Sequence, residues 1–158
     1  MTTDENMPGG EQYIQDNIDL IRRFYAEIFN NGNLAVADEI IAAEFVEHIP
    51  QPMPGSRSTK GPEAIRSFAS MFRGAIPDLH VSIDDVIAAG DKVVTRVTWE
   101  GTQRGPLFGA DPTGKRLRFT GIDIVRIDGG KLVEHWGQVD VLGVLSELGF
   151  LPTGDMRV

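Results

Sequence analysis

The hydrophobic pattern of the chain changes its period at Pro77, and this change constrains the fold more than any other feature. Before Pro77, apolar residues recur at steps of three and four, which is the spacing of amphipathic helices. After Pro77, apolar and polar residues alternate, as they do in strands that bury one face. With 158 residues, the chain is long enough for one sizeable core and too short for two. The sequence therefore predicts a single α+β domain, in which helices pack on one curved antiparallel sheet.

Three helices are predicted in the first half of the chain. The first covers residues 11–31 and carries its apolar stripe on Ile14, Ile18, Ile21, Tyr25 and Ile28. A second helix is expected from Asn33 to about residue 43, and a third from Gly61-Pro62 to about residue 75. Between them, residues 45–48 are typical of a short strand, and the loop that follows contains Pro50, Pro52, Pro54 and Gly55.

The second half predicts a four-stranded antiparallel meander and a last helix. The strands are expected near residues 79–87, 92–103, 117–127 and 131–139, with hairpin turns at 89–91 and 128–130. In the first of these strands, alternation places Ile87 on the same inward face as Val81 and Ile83. A helix over residues 141–148 ends at Gly149. The domain is expected to cover residues 11–152, with tails at 1–10 and 153–158.

The charge balance and the lack of cysteine exclude several classes of function. Fifteen Lys+Arg against 23 Asp+Glu give a net charge of −8, so we expect no binding to nucleic acid or to anionic membranes. With no cysteine, disulfides and thiolate nucleophiles are excluded, which fits a reducing cytoplasm. The first ten residues lack the apolar stretch of a secretory signal, and no apolar run approaches the roughly 20 residues of a membrane-spanning helix. A cytoplasmic protein is therefore predicted.

A curved sheet with helices against one face encloses a tapering cavity, and strand parity predicts which side chains face it. Five polar groups are expected there: Tyr25, His48, Gln103, Asp123 and His135. His48 faces the cavity only if Glu47 faces out, which parity alone leaves open. The rest of the wall that contacts a substrate is expected to come from Phe29, Phe45, Phe68, Phe72, Trp99, Phe119 and Gly137.

These residues also have purely structural interpretations. A single inward histidine is more often a core residue with satisfied hydrogen bonds, and Tyr25 alone is more often packing than chemistry. Asp123 is more informative, because a buried carboxylate with no cation nearby is costly. Such a group either takes up a proton or serves a site. A few polar groups in an apolar pocket suit acid/base chemistry.

Two stretches in the predicted strands carry a family resemblance. Residues 119–127 read FTGIDIVRI, and residues 130–136 read GKLVEHW. Together with RRFY at 22–25, FVEH at 45–48 and further short matches over residues 17–150, they resemble the SnoaL-like polyketide cyclase family, also called ester cyclases. The resemblance implies the cone-shaped α+β barrel of the nuclear transport factor 2-like (cystatin-like) superfold. It also implies a homodimer through the outer face of the sheet.

The resemblance further implies a chemistry. Characterised members of this family close a ring by intramolecular aldol condensation without a cofactor, using a pocket aspartate as general acid/base and a nearby histidine. In an alignment on Glu134-His135, the aspartate position is Gly137 and the histidine position is Asp123, so the chain departs from the pattern at both. Ketosteroid isomerases share the superfold, and their oxyanion-hole tyrosine, protonated aspartic acid and general base fall on Tyr25, Asp123 and His48.

We therefore expect cofactor-free and metal-free enolisation chemistry, either aldol-type cyclisation or isomerisation, on a small apolar carbonyl compound. Tyr25 and a protonated Asp123 would hold the carbonyl oxygen, and His48 or His135 would move the proton. One alternative is a protein that binds an apolar metabolite without converting it, which Gly137 favours. A second is a metal site formed by the two histidines and a carboxylate, which the family resemblance disfavours.

Overall fold

Helices cover one face of a five-stranded sheet in the part of the chain that the computed structural model describes, residues 10–49 and 60–150. The helices are α1 (Gly10–Arg23), α2 (Ala37–Ile40), α3 (Gly61–Ala75) and α4 (Val141–Glu147). The strands are β1 (Ile41–Glu47), β2 (His80–Ala89), β3 (Lys92–Thr102), β4 (Arg116–Asp128) and β5 (Lys131–Val139). The predicted α+β architecture is confirmed. Residues 1–9 of the predicted first tail, the proline-containing loop at 50–59 and the predicted tail at 153–158 lie outside the described residues.

The sheet is mixed, with strand order β1-β5-β4-β3-β2. Strands β2 to β5 form the predicted antiparallel meander, whereas β1 pairs with β5 in parallel. Gly129 and Gly130 make the two-residue turn between β4 and β5, both with positive φ (55° and 72°), a conformation that suits the right-handed twist of a hairpin. The parallel addition of β1 places its last residues beside β5.

The predicted first helix continues past α1 as a π-helix, Phe24–Asn30. Its wider turn is evident at the end, where the Asn31 N–H donates to the carbonyl of Ala26, five residues earlier. The π-helix buries four side chains against the sheet: Phe24, Tyr25, Ile28 and Phe29. Such wide turns often occur at functional sites. Here the widened segment turns Tyr25 toward the inner face of the sheet.

The predicted second helix ends earlier than expected. After a 3₁₀ turn at Leu34–Val36, α2 stops at Ile40, and residues 41–43 belong to β1. Ile41 is buried and pairs with Leu132 of β5. Hydrogen bonding to the sheet edge therefore overrides the helical preference of the Ala42-Ala43-Glu44 stretch.

A β-bulge in β2 reverses the predicted orientation of its second half. Ile83 pairs with Val97 and Asp85 with the preceding residue of β3, so Asp84 is an extra residue in the ladder. The Asp84 carboxylate accepts a hydrogen bond from the Thr98 hydroxyl at 2.7 Å. Beyond the bulge the parity shifts by one, so the prediction of an inward Ile87 is wrong. The Ile87 side chain is 64% exposed, whereas Val86 and Ala88 pack against the core.

Aromatic rings fill the space between α3, the π-helix and the sheet. Trp99 of β3 is at the centre of this cluster and contacts Phe29, Phe68, Phe72 and Phe119, with ring centroids 5.0 to 6.3 Å apart. Within the described ranges, every helix is too short or too polar to span a membrane. Three rings of this cluster, Phe29, Phe68 and Trp99, also line a hollow between the helices and the sheet.

Candidate active site

A hollow opens between the helices and the inner face of the sheet. Of the residues that the sequence predicted here, seven line it: Tyr25, Phe29, Phe68, Trp99, Asp123, His135 and Gly137. The lining also includes residues that the sequence did not predict: Phe24, Glu47, Ile49, Ile65 and Val139. Most of this wall is apolar, and its charged groups form one connected set.

That set is a chain of hydrogen bonds, Glu47–His135–Asp123–Tyr25, hereafter the polar chain. The Glu47 carboxylate lies 2.7 Å from His135 Nδ1, and His135 Nε2 lies 2.9 Å from Asp123 Oδ1. The Tyr25 hydroxyl donates to Asp123 Oδ2 at 2.7 Å and lies 3.1 Å from the Thr95 hydroxyl. The side chains of Glu47, His135 and Asp123 are only 13%, 13% and 8% exposed. A continuous polar network thus crosses the wall of an otherwise apolar hollow.

Strand register explains how these residues meet. Glu47 of β1 is the pairing partner of His135 in β5, so the two side chains share a face. Asp123 of β4 is opposite Gly137 in β5 on one side and Thr95 in β3 on the other. His135 precedes Gly137 by two residues and therefore reaches Asp123 along a diagonal, which a long side chain can span. Four adjacent strands contribute one polar group each.

The two carboxylates control the protonation of His135. Burial on its own lowers the pKa of His135, but the hydrogen bonds and negative charges of Asp123 and Glu47 outweigh it and raise this pKa from 6.5 to about 10. At neutral pH the ring is therefore an imidazolium that donates to both carboxylates. The expectation of a protonated Asp123 assumed that no cation lies nearby. The structure places the His135 imidazolium 2.9 Å from Asp123 Oδ1.

Tyr25 serves the polar chain as a neutral donor. Burial raises the pKa of its hydroxyl well above 10, and the negative charge of Asp123 raises it further. The hydroxyl therefore keeps its proton throughout the physiological range. Asp123 accepts hydrogen bonds from both sides, one from Tyr25 and one from His135.

The prediction that His48 faces the cavity is wrong. His48 is exposed on the outer face of the sheet, where its ring stacks on Trp136 at 4.8 Å and bonds to Glu134 at 2.9 Å. Glu47 faces the hollow instead. The sequence holds a signal for this arrangement, because the fully buried Phe45 lies two residues before Glu47 and shares its face.

Four further predicted contacts do not line the hollow. Gln103 is fully buried, but its amide holds a loop: Nε2 donates to the carbonyls of Gly105 and Asp111, and Oε1 accepts from the Thr113 N–H. Strand parity correctly predicted that Gln103 is buried. It could not show that residues 105–113 fold back over the Gln103 side chain. The other three, Phe45, Phe72 and Phe119, are buried in the core behind the lining.

The wall also holds an unused donor. Trp99 is 3% exposed, and in the described part of the chain its indole Nε1–H has no hydrogen-bond partner. A buried donor left unpaired is costly. Among residues 10–49 and 60–150, no three His, Asp or Glu side chains converge as ligands of a metal ion would. His48 lies on the opposite face of the sheet from His135.

Comparison with known proteins gives one consistent family. The family model for the SnoaL-like polyketide cyclase matches residues 19–148. The chain is 29% identical over 133 residues to the aklanonic acid methyl ester cyclase DnrD of Streptomyces peucetius, covering 84% of this chain and 90% of DnrD. It is equally similar to DauD of Streptomyces sp. (strain C5), of which it covers 81%. Among solved structures, TsrD from Streptomyces laurentii is 31% identical with a TM-score of 0.76, covering 87% of this chain and 97% of TsrD.

Proposed function

Because the chain belongs to the SnoaL-like polyketide cyclase family, we propose that it catalyses a cofactor-free ring closure or isomerisation of a small apolar carbonyl compound. The polar chain is the observation that supports this: an imidazolium lies between two carboxylates in the wall of an apolar hollow. Such a site can remove a proton from carbon and return one to oxygen, which is the chemistry of enolisation.

In this proposal Asp123 is the general base. Each oxygen of an ionised carboxylate has two lone-pair directions. Tyr25 takes one direction on Oδ2 and His135 one on Oδ1, so each oxygen keeps one for the substrate. Asp123 removes a proton from the carbon next to a carbonyl, and the adjacent imidazolium offsets the negative charge that develops. This assignment revises the hypothesis in which a protonated Asp123 is an oxyanion donor.

The proposed ring closure needs no co-reactant. The enolate carbon attacks a second carbonyl of the same molecule, forming a C–C bond, and the resulting alkoxide takes up the proton that left the carbon. The His135 imidazolium, hydrogen-bonded to Asp123, offsets the negative charge of the enolate and then of the alkoxide.

The test uses the compound named in the two curated relatives, aklanonic acid methyl ester, together with any compound that co-purifies with the protein. Each is incubated with the enzyme in D₂O and followed by mass spectrometry and NMR. We expect deuterium exchange next to a carbonyl and an isomeric product. The Asp123→Asn variant should lose about 10²- to 10⁴-fold in rate. His80→Gln, a change at an exposed residue of β2, is the control and should keep the rate.

A non-catalytic binding protein would give a different outcome. A compound would then co-purify and bind tightly, but would be released unlabelled and unchanged by both the native protein and Asp123→Asn. One observation favours this second candidate: the Tyr25 hydroxyl and both ring nitrogens of His135 already have hydrogen-bond partners within the protein. That result would contradict the enzymatic proposal.

We also propose that two copies associate through the outer face of the sheet. Ile122 and Ile124 of β4 are 53% and 37% exposed there, and they line a groove with His48 and Trp136. Apolar side chains on a sheet face that has no helical cover suit a second copy of the same surface. A cytoplasmic location belongs to the same proposal and rests on the lack of cysteine.

A further inference from the structure

Gly137 occupies the one place on β5 where a side chain would collide with the polar chain. A Cβ added to Gly137 would lie 2.7 Å from Asp123 Oδ1, and 2.8 and 3.1 Å from Cε1 and Nε2 of His135. Real Cβ atoms essentially never lie within 3.0 Å of such atoms, so the first two contacts would force the Asp123 or His135 side chain to move. The backbone of Gly137 is not in the left-handed region, so space is the reason for the glycine.

The register of the sheet explains this requirement. Gly137 is directly opposite Asp123, and a side chain at position 137 would stand on the same inner face as His135. To reach Asp123 Oδ1, the imidazole must lean along β5 and lie over position 137. The contact between His135 and Asp123 and a side chain at position 137 therefore compete for the same volume.

We propose that Gly137 is a positioning residue, whose missing side chain leaves the space through which His135 bridges Asp123 and Glu47. The catalytic meaning of this bridge rests on the proposed function, but the bridge itself can be tested without a substrate. A side chain there would displace the ring, so Gly137 and the Asp123–His135 pair belong together as one arrangement.

The bridge has a consequence for protonation. The charged and titratable groups that face His135 are Glu47 from β1 and Asp123 from β4, and Tyr25 of the π-helix reaches it through Asp123. An alanine at position 137 forces the ring away from Asp123. His135 then loses one of the two carboxylates that keep it protonated, and its pKa falls from about 10 toward 6.5.

The experiment is an NMR titration of the histidine ring protons in the whole chain. The chain has three histidines, so His48→Gln and His80→Gln assign the His135 signal. We expect Gly137→Ala to lower the His135 titration midpoint by about one pH unit or more. The control is Gly121→Ala, another inner-face strand glycine, whose added Cβ would meet its nearest neighbours at 3.3 to 3.4 Å. The Gly121→Ala midpoint should match that of the native chain.

An unchanged His135 midpoint in Gly137→Ala would overturn the proposal. If Gly137→Ala does not fold, the double variant His135→Ala/Gly137→Ala decides, because removing the ring removes two of the three close contacts. The proposal requires the double variant to fold as His135→Ala does. A double variant that is unfolded while His135→Ala is folded would contradict it.

The NMR titration tests the role of Gly137, and the deuterium exchange assay tests the proposed function, so either proposal can be refuted without the other. A midpoint that shifts as expected, in a protein that exchanges no deuterium, leaves Gly137 as a positioning residue in a binding site and ends the enzymatic proposal. An active enzyme whose His135 midpoint is insensitive to Gly137→Ala leaves the proposed function standing and removes the role of Gly137.

Discussion

His135 is the residue on which the charge balance of the hollow depends. It lies between two carboxylates that are themselves almost out of contact with water. A buried ion pair adds little stability compared with apolar packing, but removing one partner leaves a buried charge uncompensated. Here one ring compensates two charges, so its loss affects both.

We predict that His135→Gln lowers the free energy of unfolding by about 3–5 kcal/mol at neutral pH. The reason is that Glu47 and Asp123 would then be buried as neighbouring negative charges. Denaturant unfolding followed by circular dichroism measures the change. The exposed histidine of β2 offers a matched comparison, and His80→Gln should alter stability by no more than about 0.5 kcal/mol. Equal effects of the two substitutions would contradict this account of the polar chain.

The stability of the native chain should fall as the pH rises from 6.5 toward about 10. The folded-state pKa of His135 is raised above its ordinary value of 6.5. Its contribution to stability is therefore complete below pH 6.5 and is lost as the pH passes through the folded-state pKa. Unfolding midpoints measured across this range check the prediction. The His135→Gln variant should lack that part of the fall, and an identical slope in both proteins would refute it.

At the scale of elements, the sequence predicts whatever depends on long, regular alternation. The strands β3 and β4 have eleven and thirteen residues, so their alternation of apolar and polar residues is long enough to define an inward face. The prediction that Trp99 and Asp123 face inward agrees with their burial. The side of the sheet that Glu47 faces does not follow as directly. It is set by the pairing of β1 with β5, and that pairing joins distant parts of the chain. Phe45 was already expected to face the cavity, and its shared parity with Glu47 would have supplied the answer.

Periodicity could not predict the bulge in β2, because the alternation of apolar and polar residues in the sequence is the same whether or not one residue is left out of the pairing. Asp84 is inserted because its carboxylate finds partners on β3, the Thr98 hydroxyl and the Arg96 guanidinium. Those contacts exist only once the hairpin has formed. The pattern therefore gives the strand but assigns the wrong face to its second half.

The bulge predicts an unusual pair of substitutions in β2. Ile87→Ala should change the free energy of unfolding by less than about 0.5 kcal/mol, because the Ile87 side chain is 64% exposed. Val86→Ala should cost about 1 kcal/mol, because Val86 packs against the core although it is the smaller side chain. Thermal or denaturant unfolding of both variants makes the comparison. A larger cost at Ile87 would show that the strand lacks the bulge in solution.

At the scale of the whole molecule, the sheet separates two surfaces with different tasks. Its inner face carries the polar chain, and its outer face carries the groove beside His48 and Trp136. The two faces share β4 and β5, in which Asp123 and His135 alternate with Ile122, Ile124 and Trp136. Association of two copies would bury one surface without closing the other.

We predict that Ile122→Glu converts a dimer to a monomer. A charge introduced at the centre of an apolar interface must be buried without a partner, which disfavours association. Sedimentation velocity of the native chain and the variant measures the change. Tyr13→Glu, at an exposed aromatic residue of α1 on the helical side of the sheet, is the control and should leave the dimer intact. A native chain that sediments as a monomer at all concentrations would refute the proposed association.

The parallel pairing of β1 with β5 also determines at which stage of folding the polar chain can form. Glu47 and His135 are 88 positions apart, and Tyr25 and Asp123 are 98 apart. During synthesis, Tyr25 and Glu47 are made long before Asp123 and His135. Contacts between residues so far apart in the sequence form late in folding. Until the fifth strand has been made, Glu47 cannot pair with His135 and His135 cannot bridge to Asp123. The polar chain is therefore a late product of synthesis, assembled only when the last strand joins the sheet.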